Sequence, residues 1–244
     1  MATPIARLTL DRTREEASRS GTVQLGFLMA TMTVVVTAIF AVVAIATPAR
    51  SGPFCQSGCV PAPYVDVGQF ILGDYLWLIP GILLAPLFVG LVVCIHSYAT
   101  DTRKAFSRIA ISFAVIYAAV IIVNYFVQFT VVIPSLQAGE TQNLSLLTQY
   151  NPHGFFIALE VLAYLSMAAT FLAATPVFAG GKLERTIRMV FTLGFVAAAA
   201  AFVGFWLEAH DLIAVEVTIL MIDWVVLIVG GTLLGILFRR GNRA

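Results

Sequence analysis

The chain has 244 residues, of which 60% are hydrophobic and 11% are charged. In soluble domains about a quarter of all residues are charged. This composition therefore excludes an ordinary soluble domain and indicates a protein of the lipid bilayer. The net charge is +1, and the basic residues are spread thinly over several segments. Nucleic-acid binding needs a concentrated basic surface, and we therefore expect no nucleic-acid partner.

Six apolar runs follow one another along the chain, each long enough to cross the hydrocarbon as a helix of about 20 residues. Helices are predicted because a lone strand would leave its backbone unpaired in lipid. The short connections predict one all-α domain, a six-span transmembrane helix bundle at 22–238, with tails at 1–21 and 239–244. The predicted spans are residues 22–47, 70–97, 107–134, 154–178, 188–207 and 212–238.

The distribution of positive charge predicts the orientation of the bundle. Of the 14 Lys and Arg residues, all except Arg50 lie in alternate gaps between the apolar runs. Because cytoplasmic loops retain positive charge during insertion, we expect both termini in the cytoplasm. The longer loops at 48–69 and 135–153 then face outward, and a lid or vestibule is expected there.

Two kinds of residue affect the shape and packing of the spans. Pro80 and Pro86 predict a bend in the second span, which either opens a cavity or is ordinary proline use in a membrane helix. Small residues at 197–201, Gly231 and Gly235 predict close approach of helices. We expect that contact inside the bundle, with a homo-oligomer face as the alternative.

Two of the three cysteines lie close together in the first outer loop. Cys55 and Cys59 are four residues apart, and an oxidising compartment permits a disulfide. We expect the bond to shape the loop, because so short a closed loop gives stabilisation at the low end of about 2–4 kcal/mol. A metal pair and a redox-active pair are the alternatives. Cys94 is expected to be a reduced packing residue.

Polar side chains inside the predicted spans lie mostly in the outer half of the membrane. Glu216 and Asp223 are seven residues apart and share one face of the last span. An ionised group at the centre of a helix costs on the order of 2.5–3.5 kcal/mol on insertion scales, so Asp223 is expected to face inward. These side chains predict an outward-facing ligand-binding pocket lined by Asp74, Asn124, Gln128, Glu160, Tyr164, Glu216 and Asp223.

Several of these residues also have a purely structural interpretation. The carboxylates nearest the span ends can lie at the membrane interface, and Asn124 and Gln128 can join helices by hydrogen bonds. Glu160 and Asp223 are deeper, and no Lys or Arg within any span is available to pair with the acids of the pocket. They are predicted to act as neutral hydrogen-bond donors or as groups that exchange protons.

The sequence offers little evidence for a cofactor or for catalysis. No histidine lies at mid-span, which argues against a membrane haem. A zinc site from His153 and His210 fits no ligand spacing, and we expect neither a metal nor a cofactor. The sequence contains no nucleophile elbow, metalloprotease helix or phosphate-binding loop. Enzymatic activity stays undecided, and a non-enzyme is favoured.

The second half of the chain resembles a group of uncharacterised bacterial multi-span integral membrane proteins. The segments that carry the resemblance are Asn-Pro-His-Gly at 151–154, Ala-Leu-Glu-Val-Leu-Ala-Tyr at 158–164, Gly-Lys-Leu-Glu-Arg at 181–185 and Ile-Asp-Trp at 222–224. Because these segments contain Glu160 and Asp223, the resemblance supports a role for both residues without defining it. It implies a location in a bacterial plasma (inner) membrane, but no activity and no ligand.

Three functions agree with these observations. The first is a membrane protein whose acidic pocket binds or transports a small polar or cationic molecule, or protons. The second is a non-catalytic structural or sensory subunit, in which the polar residues hold helices together. The third is a membrane-embedded enzyme that uses paired carboxylates on a lipid-like substrate. The lipid bilayer is the expected surrounding in each case, and a homo-oligomer agrees with all three.

Overall fold

The computed structural model describes the backbone of residues 4–67, 70–208 and 211–241, and their side chains except at 4–20, 71–72 and 208. Regular structure in this part of the chain is entirely helical, without strands, which confirms the all-α prediction. The helices are α1 (Pro4–Ala46), α2 (Ile71–Asp74), α3 (Leu78–Tyr98), α4 (Lys104–Val127), α5 (Ile133–Ala138), α6 (Phe155–Ala174), α7 (Lys182–Glu208) and α8 (Leu212–Gly241).

Six helical segments are long and apolar enough to cross a membrane, which confirms the predicted number of spans. The third span has 38 residues because a π-helical segment at Gln128–Val132 joins α4 to α5. Each observed span overlaps the predicted one. The observed spans are Gly21–Ala46, Leu78–Tyr98, Asp101–Ala138, Phe155–Val177, Lys182–Leu207 and Leu212–Gly241.

The largest differences from the prediction lie where two helices begin. The second span was expected from residue 70, but α3 begins at Leu78, after the short helix α2 and a turn. Apolar residues on both sides of Asp74 extend the hydropathy signal beyond the membrane helix, so Asp74 precedes the span. The first helix begins at Pro4, and the predicted N-terminal tail is therefore helical over its described residues.

Five of the six spans close into a ring, and the remaining span, α7, lies outside it. α1 packs on α3, α3 on α4, α4 on α6, α6 on α8, and α8 returns to α1, whereas α7 packs against α6 and α8. Large aromatic side chains fill the ring, as expected where van der Waals packing holds membrane helices together. The fully buried ones include Phe40, Phe88, Tyr117, Tyr125, Phe156 and Tyr164.

Glycines in α8 allow close helix contacts within the bundle. A Cβ atom on Gly231 would lie 2.7 Å from the Val34 side chain of α1, and one on Gly230 would lie 2.7 Å from the Phe191 ring of α7. These contacts confirm close approach inside the bundle. The helix α3 continues through Pro86, while Pro80 lies in its first turn, where a missing N–H leaves no helical bond unmade.

The two ends of the bundle carry different segments. Residues 47–67, 70–77 and 139–154 lie at one end, which we call the loop end, and residues 99–103 and 175–181 lie at the opposite, basic end. At the loop end the Sγ atoms of Cys55 and Cys59 are 2.04 Å apart, a disulfide distance. Cys94 is a buried free cysteine.

The disulfide loop packs on Arg50. The backbone N–H of Val60 donates to the carbonyl oxygen of Arg50 at 2.8 Å. A Cβ atom on Gly58 would lie 3.1 Å from Nη1 of Arg50, and Gly58 has φ +65°, a conformation that favours glycine. The loop therefore contacts both the backbone and the side chain of Arg50.

Candidate functional site

A cavity of about 200 Å³ opens at the loop end of the bundle. Its mouth is bordered by exposed Pro48 and Ala49 at the end of α1. Most of its wall is apolar, and three of its side chains carry carboxyl groups. The lining residues are Ala44, Thr47, Pro48, Ala49, Arg50, Ser51, Asp74, Trp77, Gln149, Tyr150, Glu160, Ile213, Glu216, Val217 and Leu220.

Asp74 is the carboxyl group of the cavity that has a cationic partner. Nε of Arg50 donates to Oδ2 of Asp74 at 3.0 Å, and the two side chains are 16% and 5% exposed. The Tyr150 hydroxyl donates to the same oxygen at 3.1 Å. The prediction that the pocket acids lack a cationic neighbour is therefore wrong for Asp74, because the neighbour comes from the loop and not from a span.

The hydroxyl of Tyr150 is held as a hydrogen-bond donor. Burial, followed by the charge of nearby groups, raises the pKa of Tyr150 above its ordinary value. The phenol therefore stays protonated, and its O–H group can donate a hydrogen bond to Asp74. Together with the guanidinium of Arg50, this bond satisfies the Asp74 carboxylate and leaves Glu160 and Glu216 as the acids available to a ligand.

Glu160 lies in the second turn of α6, and the residue is 1% exposed. The Tyr125 hydroxyl of α4 donates to Oε1 of Glu160 at 2.5 Å. The Tyr125 hydroxyl also contacts the Tyr164 hydroxyl at 3.0 Å. Since Tyr125 donates its proton to Glu160, Tyr164 must be the donor of this second bond. Glu160 thus joins the cavity to a buried pair of phenols.

Gly81 fixes the position of the Tyr125 ring. A Cβ atom on Gly81 of α3 would collide with Cε2 of Tyr125. We expect Gly81→Ala to push the ring away from Glu160, and overpacking of this kind destabilises by about 1–3 kcal/mol. Thermal unfolding of the purified protein measures the loss of stability.

Gly204 provides the matched control for that substitution. It lies in the membrane helix α7, and a Cβ atom there would meet nothing within 4 Å. Gly204→Ala is expected to leave the melting temperature unchanged or slightly raised. A Gly81→Ala variant as stable as the Gly204→Ala variant would show that the Tyr125 ring is not confined as described.

Glu216 faces the cavity from the second turn of α8 and is 5% exposed. Its carboxyl group makes no hydrogen bond or ion pair with any residue that the structure describes. Burying such a group without a partner is costly, and a ligand that carries a positive charge would remove that cost. Glu216 is therefore the most available carboxyl group of the site.

An aromatic cluster forms part of the cavity wall. Trp77 lines the cavity, and its ring stacks on Phe40 with centroids 5.9 Å apart. The same ring meets Tyr125 edge to face at 5.5 Å and Phe156 at 6.0 Å. An indole beside carboxylates suits an organic cation, which interacts favourably with an aromatic face.

Two predicted pocket residues lie away from the cavity and bond to backbone. The amide of Asn124 donates to the carbonyl of Phe156 at 3.0 Å, and the amide of Gln128 donates to the carbonyl of Leu147 at 2.7 Å. The first bond ties the third span to the first turn of α6, and the second ties it to the loop before α6. These contacts agree with the structural interpretation of both residues.

Asp223 and Tyr164 lie deeper than the cavity. Asp223 follows Glu216 and Leu220 on one face of α8, and it is fully buried. Neither of its carboxylate oxygens has a hydrogen-bond partner in the described part of the chain. The structure thus brings Asp74, Glu160 and Glu216 together around the cavity, and it places the other four predicted residues outside its lining.

The residues of the site that sequence reasoning missed include Arg50, Trp77 and Tyr125. A signal existed for two of them. Arg50 is the single basic residue on its side of the charge pattern. Tyr125 is eight residues after Tyr117, and this spacing places both rings on one helical face. Trp77 stands before the helix in a continuous apolar run and carries no such signal.

Among the residues that the structure describes, no group of three His, Cys, Asp or Glu side chains is placed to hold a metal ion. His153 is exposed, and its backbone N–H donates to the side chain of Asn151 at 2.9 Å. His210 lies outside the described residues, so the alternative of a zinc site with His153 stays a sequence-based one.

The fold and the cavity together describe an all-helical protein with six segments apolar enough to span a membrane and an acidic cavity at the loop end. Comparison with models of protein families, with characterised proteins and with solved structures finds no match to this chain. No function is therefore carried over from a relative, and a function for this chain has to be inferred from the geometry of the cavity.

Proposed function

We propose that this chain is a multi-pass protein of a bacterial plasma membrane, with both termini in the cytoplasm, whose outward-facing cavity binds a small organic cation. The orientation rests on the position of the basic residues, because 13 of the 14 would then lie on the cytoplasmic side. The loop end faces outward in this orientation, and the cavity opens to the periplasm or the exterior.

The observation that carries the proposal is the convergence of Glu160 and Glu216 on one cavity in which Asp74 already has its own cation. A bound cation would meet two carboxyl groups and the ring of Trp77. Carboxylates supply charge-assisted hydrogen bonds, and the indole supplies an attractive aromatic face. The apolar remainder of the wall favours an organic ion over a hydrated metal ion.

The size of the cavity limits the ligand to a small molecule. Its volume is about 200 Å³, below the roughly 300–1,000 Å³ of sites for drug-sized ligands. A guanidinium or short alkylammonium ion fits this space. Both present N–H groups to carboxylates, and guanidinium can do so in a bidentate manner.

The packing of the ring interior between the acidic cavity and the basic end favours binding over transport. The neighbouring cavity toward that end has an accessible volume of about 10 Å³, which is at the limit for one water molecule. Apolar side chains surround it, including Phe88, Phe171, Phe191 and Leu227. These residues give a polar ligand no path inward. The larger cavities of the basic end, of about 260 and 340 Å³, are lined by α1 and α8 and share no lining residue with the acidic cavity.

Calorimetric titration with methylguanidinium and methylurea tests the proposal. The two molecules have nearly the same shape, but only the first carries a charge. Hydrogen bonds to charged groups contribute about 1.5–3 kcal/mol, so methylguanidinium is expected to bind about ten- to a hundredfold more tightly. Equal affinities, or no heat with either molecule in protein reconstituted in nanodiscs, would contradict an organic-cation site.

A further inference from the structure

A buried carboxyl group lies below the cavity, and the cation site does not use it. Asp223 is fully buried, and neither of its oxygens has a hydrogen-bond partner in the described chain. The hydroxyl of Tyr117 is equally buried and equally without a hydrogen-bond partner there. Tyr117 interacts electrostatically with Asp223 and Glu160, but its hydroxyl makes no hydrogen bond to either carboxyl group.

Hydroxyl groups connect this region to the cavity. Tyr164 interacts electrostatically with Tyr117, and the rings of the two residues are 6.1 Å apart. Tyr164 donates to Tyr125 at 3.0 Å, and Tyr125 donates to Glu160 at 2.5 Å. The order from mid-membrane to the cavity is therefore Asp223, Tyr117, Tyr164, Tyr125 and Glu160.

We propose that Asp223 is a proton-binding site near the middle of the membrane, which exchanges its proton with the loop-end cavity through the hydroxyls of Tyr117, Tyr164 and Tyr125 and the carboxyl group of Glu160. A phenol suits such a relay because its oxygen accepts one proton while its O–H group gives up another. An isolated carboxylate at this depth is costly, and holding a proton removes that cost.

The hydrogen bonds set the direction of the first transfer. The Tyr125 proton moves to the Glu160 carboxylate and the Tyr164 proton replaces it, along the two hydrogen bonds of the structure. The hydroxyl of Tyr117 and the carboxyl group of Asp223 make no hydrogen bond at rest, so both side chains must rotate before the Tyr117 proton passes to Tyr164 and the Asp223 proton passes to Tyr117. The net change is one proton from Asp223 to Glu160, with every phenol neutral before and after. Glu160 then gives its proton to water in the cavity. Return of a proton requires the three hydroxyls to rotate.

In the described chain, the titratable side chains that can link Asp223 to the cavity come from three helices. α4 contributes Tyr117 and Tyr125, α6 contributes Glu160 and Tyr164, and α8 contributes Glu216 with Asp223. Titratable side chains do not occur in the described parts of α1 at 21–46, of α3 at 78–93, or of α7 at 189–207.

The relay ends at Asp223. Toward the basic end, α8 continues with Trp224, Val226 and Leu227, which are buried, and the adjoining cavity has apolar walls and about 10 Å³ of space. Protons therefore enter and leave from the loop end without crossing the membrane. Liposomes that contain the protein are expected to hold a pH gradient as long as protein-free liposomes, and rapid collapse of the gradient would contradict a closed relay.

Infrared difference spectroscopy of the reconstituted protein tests whether Asp223 holds a proton. The C=O stretching band of a protonated carboxyl group should be present in the wild type, should shift on transfer to D₂O, and should disappear in Asp223→Asn. That variant is nearly isosteric, and circular dichroism checks its fold. A spectrum in which folded Asp223→Asn keeps every carboxyl band would overturn the proposal.

The rate of the D₂O shift tests the path and does not depend on Asp223→Asn. A positioned proton-transfer group contributes roughly 10²–10⁴-fold to a rate, so Tyr164→Phe should slow the shift of the Asp223 band by on the order of a hundredfold. Tyr98→Phe at the basic end is the matched control, because the Tyr98 hydroxyl contacts Glu184 and not the relay. An unchanged rate in Tyr164→Phe would overturn the relay.

Neither measurement requires a ligand. The proton site can therefore be correct if the cavity binds no cation, and the cation site can be correct if Asp223 exchanges no proton. If both are correct, a bound cation would favour the Glu160 carboxylate and would hold the proton at Asp223.

Discussion

Replacing both free acids of the cavity by their amides is expected to abolish cation binding. In the variant Glu160→Gln with Glu216→Gln, the cavity keeps its shape, because glutamine has nearly the volume of glutamate. Two charge-assisted hydrogen bonds are lost, at about 1.5–3 kcal/mol each. The affinity for methylguanidinium should therefore fall by at least about a hundredfold, as measured by calorimetry in nanodiscs.

Glu140→Gln is the control for this loss of charge. Glu140 is exposed at the same end of the bundle and is not among the cavity-lining residues. Its amide variant changes the net charge in the same direction and should leave the affinity within about twofold, since exposed charges are screened by solvent. An unchanged affinity in the variant Glu160→Gln with Glu216→Gln would mean that methylguanidinium binds elsewhere.

Removing the guanidinium of Arg50 is expected to destabilise the protein and to tighten cation binding. Arg50→Gln leaves the Asp74 carboxylate, 5% exposed, without its ion-pair partner. Breaking a buried pair from one side costs about 3–5 kcal/mol, and we expect the lower value because the Arg50 side chain is 16% exposed. The melting temperature should fall clearly, while a third acid becomes available to methylguanidinium.

The double variant Arg50→Gln with Asp74→Asn separates the ion pair from other effects of the loop. It removes both charges, so the buried carboxylate no longer needs a partner, and much of the lost stability should return. It should also lose the gain in affinity. If the double variant is as unstable as Arg50→Gln alone, Arg50 stabilises the loop by its packing on Phe70, which lies 3.8 Å from the guanidinium carbon, and not through Asp74.

The spans of this protein could be predicted from its sequence because hydropathy and length determine which segments cross a bilayer. The start of the second span could not be predicted, because Phe70 and Trp77 are as apolar as the helix α3 itself. The short helix α2 and the turn after Asp74 separate this apolar segment from α3. Hydropathy does not detect such a change in backbone geometry.

The site was predictable where the membrane restricts the position of a residue. Glu160 and Glu216 face the cavity because a carboxyl group that faced lipid would be costly. The partner of Asp74 was not predictable, because Arg50 lies 24 residues before it in the chain and outside every span. Periodicity relates residues within one helix, and it does not relate a loop to a helix or show that Tyr125 of α4 meets Glu160 of α6.

Access to Glu216 from the outer face of the membrane is the decisive test of an outward-facing acidic cavity. A cysteine at position 216, in a Cys94→Ala background, can be treated on right-side-out vesicles with membrane-impermeant thiosulfonate reagents of either charge. Val225→Cys on the same helix is the control, because Val225 is 61% exposed on the surface of the bundle and faces the hydrocarbon in the proposed membrane position.

We expect Glu216→Cys to be modified from outside, and the cationic reagent to react roughly tenfold faster than the anionic one because the remaining acids attract it. Val225→Cys should not react with either reagent. Modification of Glu216→Cys only from the cytoplasmic side, or a faster reaction with the anionic reagent, would contradict an outward-facing acidic cavity.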